Sequence, residues 1–378
     1  MTVRSFALIA LFVTTNLLAA EPRPLPAPPI IGATSYLAID GRTGYEVAAF
    51  EPDKAVAPAS LTKLMTAYVV FKSLEANQVQ LSDEVTVSEK AWRAEGSRMF
   101  IEVGKRVAVQ DLLLGMIVQS GNDASIALAE HVAGSESVFV EIMNQYAQSL
   151  GMLSSNFVNV TGLSHDDHYS TARDLSTLAA AIIREFPEYY KWYSLKEYTF
   201  NNIKQPNRNN LLWRDDSVDG MKTGHTDAAG YCLVSSAQRD DMRIISVVLG
   251  TSSAKARIDG SQALLNYAFR FFETRLLYRA GEEITRTRIW KSENEFTSLG
   301  VLDDLYITVQ RGNYNSLQSV LNIPAALVAP VATGQPLAEL KISLNGTELL
   351  GEPLRALADN PSGSIWQRTR DSVSLWFE

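Results

Sequence analysis

The sequence predicts an α+β domain, then a small all-β domain, then a short amphipathic helix at the C-terminus. Three observations predict this. From about Ile31 to Phe272, hairpin-like stretches are interleaved with stretches of helical period. That pattern suits an antiparallel sheet packed with helices more than a doubly wound parallel sheet. After about Thr274 the helical period fades and apolar residues alternate with polar ones, the period of a half-buried strand. In the last residues helical period returns, with aromatics gathered on one face.

The elements follow in order. Thr34 to Asp40 and Tyr45 to Phe50 flank Asp40-Gly41-Arg42-Thr43-Gly44, a hairpin signal. Leu61 to Leu74, Val109 to Ile117, Asn122 to Ala133, Ser137 to Leu150 and Asp174 to Arg184 carry helical period. Tyr231 to Ser236 and Met242 to Leu249 read as strands around the polar turn Gln238-Arg239-Asp240-Asp241, and Arg257 to Glu273 as a helix. Glu283 to Trp290, Leu305 to Gln310 and Leu337 to Leu344 alternate as strands, and Asn345-Gly346 is a tight-turn dipeptide. The expected organisation is a signal peptide at 1–20, a proline-rich leader at 21–30, an α+β domain at 31–273, a β domain at 274–359 and an amphipathic helix at 360–378. A length of 378 residues accommodates this at roughly 150 residues per domain.

The N-terminal reading rests on Arg4, the apolar run Phe6 to Val13, and Leu17-Leu18-Ala19-Ala20. That run is shorter than the roughly 20 apolar residues a bilayer span needs. It has the order of a secretory signal, cut near Ala20, and predicts export. In the tail, Ile365, Trp366, Val373, Trp376 and Phe377 fall on one helical face and Arg368, Asp371 and Ser374 on the other. Such a helix is expected to lie in a membrane interface. Its two arginines are offset by Asp371 and Glu378, so the aromatics must supply most of the hold.

Composition narrows the function. Hydrophobic residues are 46% and charged residues 20%, which excludes disordered, collagenous and multi-span classes. The net charge is −8; loss of the signal removes only Arg4 and makes it −9. An acidic chain is a poor nucleic-acid binder. Cys232 is the single cysteine, so no intrachain disulfide, cysteine zinc cluster or CxxC pair is possible. His165 and His168 in Ser164-His165-Asp166-Asp167-His168 read as a solvated polar loop, not a metal site, and His131 as structural. No metal and no cofactor is expected.

Three short motifs carry chemistry. Ser60-Leu61-Thr62-Lys63 follows Pro58 at a helix start, which places Ser60 and Lys63 one turn apart on one face. A lysine whose pKa is lowered can take a serine's proton and make it a nucleophile. The pattern recurs at Ser252 and Lys255, so alone it is weak. Ser120-Gly121-Asn122 and Lys222-Thr223-Gly224 each occur once, and the three stand in that order.

The ordered set S-x-x-K, S-G-N, K-T-G resembles the signature of the serine acyl transferases of the penicillin-binding type. With Ser120-Gly121-Asn122-Asp123-Ala124, Asp219 to Thr226, Asn207-Arg208-Asn209 and Phe269 to Thr274, nearly the whole mature chain is similar to the low-molecular-weight penicillin-binding proteins. Among these, the D-alanyl-D-alanine carboxypeptidases share the extended Lys-Thr-Gly-His-Thr form. The resemblance implies a transpeptidase/β-lactamase-like catalytic domain, a β-rich second domain and a C-terminal anchor at the periplasmic face of the cytoplasmic membrane. It implies that Ser60 attacks the carbonyl between two terminal D-alanines of a peptidoglycan stem peptide, and that β-lactams inhibit. Lys63 is then the base. Ser120 relays a proton to the leaving amine, and Asn122 binds the substrate backbone or holds Lys63. Lys222 supplies positive charge, and the N–H groups of Ser60 and His225 form the oxyanion hole. Thr223, Arg208 and Arg257 are candidates for the terminal carboxylate, and Gly224 leaves room for a substrate strand. Some members carry a His before the Gly162-Leu163 pair, where this sequence has Thr161. The competing readings are a β-lactamase, for which no separately placed Glu is evident, and a cell-wall scaffold with a vestigial site.

Overall fold

The computed structural model describes residues 25–375. The signal segment 1–20, the start of the leader, and Trp376 and Phe377 lie outside the described residues. The expected hairpin forms between β1 (Ser35–Asp40) and β2 (Glu46–Phe50). With β3 (Val218–Thr226), β4 (Gly230–Arg239) and β5 (Met242–Thr251) it builds a five-stranded antiparallel sheet in the order β2-β1-β5-β4-β3. β3, which carries Lys222-Thr223-Gly224, is therefore an edge strand.

Side-chain alternation sorts this sheet between two cores. Leu37, Ile39, Val247 and Leu249 face a lobe containing α1 (Lys63–Glu75), α2 (Asn122–Ala133), α3 (Glu136–Ser149) and α4 (Ala172–Glu185). Tyr36, Ala38, Ile244 and Val248 face Leu264, Leu265 and Ala268 of α5 (Ala254–Phe271). A strand covered on both faces is predominantly apolar; all six residues of β1 are buried, with the polar Ser35 and Asp40 at its two ends. The proline leader packs along α5: Tyr267 donates to Pro26 O at 2.8 Å, and Gly260 lets Ile31 approach closely.

The expected helix over 257–273 ends earlier, at Phe271, and a strand, Phe272–Tyr278, begins at once. Non-local pairing decides this: the strand is antiparallel to Leu305–Gln310, and Glu273 accepts from Gly312 N at 3.0 Å. The remaining C-terminal strands form a six-stranded sheet around Ile289, Leu299, Ile307, Leu340, Ile342 and Leu354. The alternation of Pro336–Leu344 and the Asn345-Gly346 turn lie where the sequence put them.

Asp40 joins the two domains. It is fully buried and accepts from Arg42 N and Thr43 N, both at 2.9 Å, and from Thr274 Oγ1 at 2.6 Å. Thr308 Oγ1 lies 2.7 Å from Thr43 Oγ1 and 3.0 Å from Thr274 Oγ1. The carboxylate thus closes the hairpin turn and ties it to the first strand beyond α5.

The C-terminal helix α6 (Ile365–Ser374) starts on a capping box of Ser364 and Gln367. It docks by its polar side: Asp371 is 5% exposed and accepts from Lys291 N at 2.7 Å. Ile365, Trp366 and Val373 are 78%, 85% and 59% exposed. Among the described residues no helix is long and apolar enough to cross a membrane.

Removing the Asp40 carboxylate leaves two backbone donors and the Thr274 hydroxyl without their acceptor. Asp40→Ala is expected to cost about 1–3 kcal/mol, lowering the unfolding temperature by several degrees and separating the transitions of the two domains in scanning calorimetry. An unchanged single transition would refute the link.

Candidate active site

The first wall of the site is the turn that opens α1. Ala59–Thr62 form one 3-10 turn that runs into the helix. Ala59 sits at φ +48°, a left-handed conformation that costs a non-glycine residue about 1–2 kcal/mol. This kink leaves Ser60 half-buried at the surface of a turn whose other side chains, Ala59, Leu61, Thr62 and Lys63, are all buried. Lys63 Nζ lies 3.1 Å from Ser60 Oγ and 2.5 Å from the carbonyl oxygen of Thr161. Burial, and then the charge of Arg208, lowers the Lys63 pKa to about 7.

The Thr161 carbonyl is held in place by its loop. Asn159 Oδ1 accepts from Thr161 N, Thr161 Oγ1 and Gly162 N at 3.1, 3.1 and 2.7 Å. The Thr161 side chain is therefore spent within its own loop, and only its backbone reaches Lys63. Gly162 has φ +85°, and a Cβ there would stand 1.8 Å from Ala59 O. Only glycine lets this loop press against the Ala59–Thr62 turn.

The second wall is the Ser120-Gly121-Asn122 turn. Ser120 is at φ +68° after a π-helical turn over Gly115–Gln119, and such irregular turns re-aim side chains. Asn122 Nδ2 donates to Glu95 O at 2.6 Å, while its Oδ1 is buried without a partner. Of the two expected roles for Asn122, holding Lys63 is not what the geometry provides. Its Oδ1 keeps unused acceptor capacity. Asp123 was not foreseen as a site residue. Its buried carboxylate accepts from Met99 N, Phe100 N and Ile101 N at 3.0, 2.9 and 3.3 Å, which fixes the adjoining loop.

The third wall is the edge strand β3. Lys222 Nζ donates to Ser120 Oγ at 2.9 Å and to Thr223 O at 3.0 Å. Burial, then the charges of Lys63, Arg208 and Arg257, push its pKa well below the usual lysine value. Thr223 is buried and His225 exposed, its ring 4.0 Å from that of Tyr231. Gly224 corrects an expectation. A Cβ there would meet Pro58 O at 3.0 Å and Ala59 Cβ at 3.2 Å, so the space it leaves is filled by the nucleophile turn and not reserved for substrate.

Two arginines flank these walls. Arg208 donates through Nε to Gln119 O at 3.1 Å and is otherwise exposed. Arg257, 8% exposed, donates to Gly224 O at 3.1 Å, and its Nε is buried without a partner. Asn209 ties the Arg208 loop to the edge strand, donating to Gly220 O at 2.9 Å two residues before Lys222. The fold thus brings together Ser60, Lys63, Ser120, Asn122, Lys222, Thr223, Gly224 and Arg208, with His225 exposed further along β3 and Arg257 bonded to the Gly224 carbonyl. The second S-x-x-K pair stays apart: Lys255 is exposed and pairs with Asp259 at 2.5 Å.

The expectation for the histidine loop fails at one residue. His165 is exposed, but His168 is 3% exposed, with Nε2 2.8 Å from Thr62 Oγ1. Antiparallel bridges of Val56 with Ser170 and of Asn156 with Tyr169 fold the segment against the Ala59–Thr62 turn. Burial pushes its pKa down to about 4, so it is neutral at physiological pH.

Residues 23–253 match the family described as D-alanyl-D-alanine carboxypeptidase, and residues 272–362 the one described as penicillin-binding protein 5, C-terminal domain. The chain belongs to the D-alanyl-D-alanine carboxypeptidase family of low-molecular-weight penicillin-binding proteins. The carboxypeptidase DacA of Haemophilus influenzae is 41% identical over 354 residues, 92% of this chain and 90% of the relative. A crystal structure of penicillin-binding protein 5 from the same organism superposes with a TM-score of 0.85 at 42% identity, covering 89% of this chain and all of that one. Penicillin-binding protein D2 of Listeria monocytogenes, solved with ampicillin bound, superposes with a TM-score of 0.60 at 30% identity over 65% of this chain and all of that one. Members of this family are serine hydrolases, so the expected α+β catalytic domain, β domain and terminal helix are those of the family fold.

Gly162→Ala brings a methyl group onto the Ala59 carbonyl. It is expected to displace the nucleophile turn, lower the melting temperature and reduce labelling by a fluorescent penicillin at least tenfold. Wild-type labelling at an unchanged melting temperature would show that the contact is not needed.

Proposed function

We propose that this carboxypeptidase removes the terminal D-alanine from peptidoglycan stem pentapeptides through an acyl-enzyme on Ser60. The observation that carries the reading is the placement of Lys63 Nζ, buried and 3.1 Å from Ser60 Oγ. Near its lowered pKa, Lys63 has a neutral fraction whose lone pair can take the Ser60 hydroxyl proton as Oγ bonds to the scissile carbonyl carbon. The N–H groups of Ser60 and His225 receive the oxyanion. As the C–N bond breaks, Ser120, bridged to Lys222, passes a proton to the leaving D-alanine amine. Asn122 Oδ1 accepts a substrate N–H. Lys222 replaces the proton that Ser120 gave up; water then attacks the ester and gives one proton back to Lys222 while Lys63 returns its proton to Ser60 Oγ, leaving a tetrapeptide and the resting site.

Thr223, Arg208 and Arg257 are proposed to recognise the terminal carboxylate, with Gly224 and His225 in the same strand. Four cationic groups, Lys63, Lys222, Arg208 and Arg257, influence one another across this cleft, in a chain whose net charge is −8. Such local excess draws in an anionic substrate. β-Lactams are proposed inhibitors because their amide presents the same carbonyl to Ser60.

We further propose that residues 1–20 direct export, that the catalytic domain spans 31–273 and the β domain 274–359, and that residues 360–378 hold the protein at the periplasmic face of the cytoplasmic membrane. The outward Ile365, Trp366 and Val373 support this: a helix docked for its own stability would turn them inward. Here the inward residue is Asp371.

Three measurements test these readings. Wild type should release D-alanine from a D-Ala-D-Ala-terminated peptide and Ser60→Ala should not; equal release would end the Ser60 assignment. The acylation rate with a chromogenic β-lactam should rise with pH through about 7, because deprotonation of Lys63 creates the base; a rate flat between pH 6 and 8 would exclude that role. A chain truncated after Asn360 should fail to float with phospholipid vesicles that carry the intact chain, and raised salt should leave the intact chain bound.

A further inference from the structure

We infer that His168 is a positioning residue for the oxyanion site: through Thr62 it fixes the Ala59–Ser60 peptide group and so aims the Ser60 N–H. The inference rests on the reading of Ser60 as nucleophile.

The proton positions follow from valence. Thr62 Oγ1 lies 2.8 Å from Ala59 O and 2.8 Å from His168 Nε2. A carbonyl oxygen has no proton to give, so the single Thr62 hydroxyl proton must point at Ala59 O. The proton between Thr62 and His168 must then come from Nε2. In the neutral ring Nδ1 is left as an acceptor, and Val158 N–H points at it at 3.4 Å. One directed chain results: Val158 N–H to Nδ1, Nε2–H to Thr62 Oγ1, and Thr62 O–H to Ala59 O. No other assignment satisfies all three contacts with a neutral imidazole.

The end of this chain is what matters for chemistry. Ala59 is the left-handed residue at φ +48°, so its conformation needs support from its surroundings. Its carbonyl is gripped by Thr62 on one side and bounded by the Gly162 backbone on the other. In a planar trans peptide the C=O and the following N–H point in opposite directions. Holding Ala59 O down against Thr62 therefore holds the Ser60 N–H up, toward the cleft beside Ser60 Oγ. His168 itself is 3% exposed, packed edge-on to the Phe157 ring at 5.8 Å between centroids, and touches no substrate position. It acts on the reaction only through Thr62.

An oxyanion donor stabilises the tetrahedral state and contributes little to ground-state binding. The test uses the full mature chain and four variants: His168→Leu, His168→Gln, Thr62→Val and the His168→Leu/Thr62→Val double variant. The readouts are kcat and KM for D-alanine release, the inhibition constant of a peptidyl boronic acid, and the melting temperature. The boronate forms a tetrahedral adduct with the serine and places an oxygen where the oxyanion forms. His168→Leu is expected to lower kcat about 10- to 100-fold, less than the full loss of such a donor. KM should stay within about twofold, and boronate affinity should weaken by the same factor as kcat. His168→Gln, which can present an N–H where Nε2 stands, should recover most of the loss. The double variant should be no worse than the worse single one, since both cut one chain.

Wild-type kcat and boronate affinity in folded His168→Leu and Thr62→Val would overturn the inference, as would losses that add in the double variant. A fall in kcat with undiminished boronate affinity would do the same. If His168→Leu does not fold, Thr62→Val and His168→Gln decide the matter alone. Ser60→Ala run alongside separates the two levels: activity in that variant removes the nucleophile reading itself, whereas its inactivity beside a fully active His168→Leu removes only the role of His168.

Discussion

Two buried lysines without a carboxylate partner are the constraint around which this fold is arranged. Lys63 and Lys222 are 2% and 3% exposed, and the hydrogen bonds of both amines go to hydroxyl and carbonyl oxygens. An ammonium group taken out of water is costly unless paired or hydrogen-bonded. Here dipoles replace the counter-charge, so each amine is held in place while its proton is loosened. A nearby aspartate bonded to either lysine would secure its proton, and at Lys63 this would defeat the proposed role as base. Asp123, a carboxylate whose charge acts on Lys63, is instead occupied by three backbone N–H groups.

The acceptors come from four separate parts of the chain, around Ser60, Ser120, Thr161 and Thr223, which explains why so much backbone strain collects here. Ala59, Ser120 and Gly162 all have positive φ. Each strained residue turns a functional group toward the cleft: Ser60 follows Ala59, Ser120 presents its own hydroxyl, and Gly162 brings the Thr161 carbonyl against Lys63. Strain of this kind persists only where the surroundings over-determine it. The buried polar contacts of Asn159, Asn209 and Thr62 provide that over-determination. The sheet contributes rigidity, since β3 lies at its edge yet packs against the nucleophile turn through Gly224.

The three motifs were legible in the sequence because each is local: a helix start, a turn and a strand, with all chemistry inside four residues. The hairpins and long helices were legible for the same reason, since period and turn residues report them directly. What could not be read was supplied by non-local contact. The Thr161 carbonyl carries no side-chain signature, so its role at Lys63 has no sequence signal. His168 looked like part of a solvated loop because its neighbours His165, Asp166 and Asp167 are polar. Pairing of Ser170 with Val56, more than a hundred positions away, buries it. The strand at Phe272 was read as helix because α5 carries its period up to the junction, and only pairing with Leu305–Gln310 breaks it. Gly224 was read as leaving room for a substrate strand, but what its missing Cβ makes room for is the Pro58–Ala59 segment of the enzyme's own turn.

The same reasoning explains how the two ends of an acidic molecule can meet different partners. The cleft gathers four cationic groups, Lys63, Lys222, Arg208 and Arg257, in a chain whose net charge is −8, and this local excess supports the proposed attraction for a carboxylate. The C-terminal helix has no such concentration: Arg370 is paired with Asp371, and Asp371 is itself occupied by the Lys291 backbone. What the helix offers outward is apolar area on Ile365, Trp366 and Val373. Burying Asp371 inward is the arrangement that makes this possible, because it anchors the helix to its domain without consuming the apolar face. A single buried carboxylate thus sets which side of the helix is left open, as Asp40 sets how the β domain meets the sheet that carries the active site.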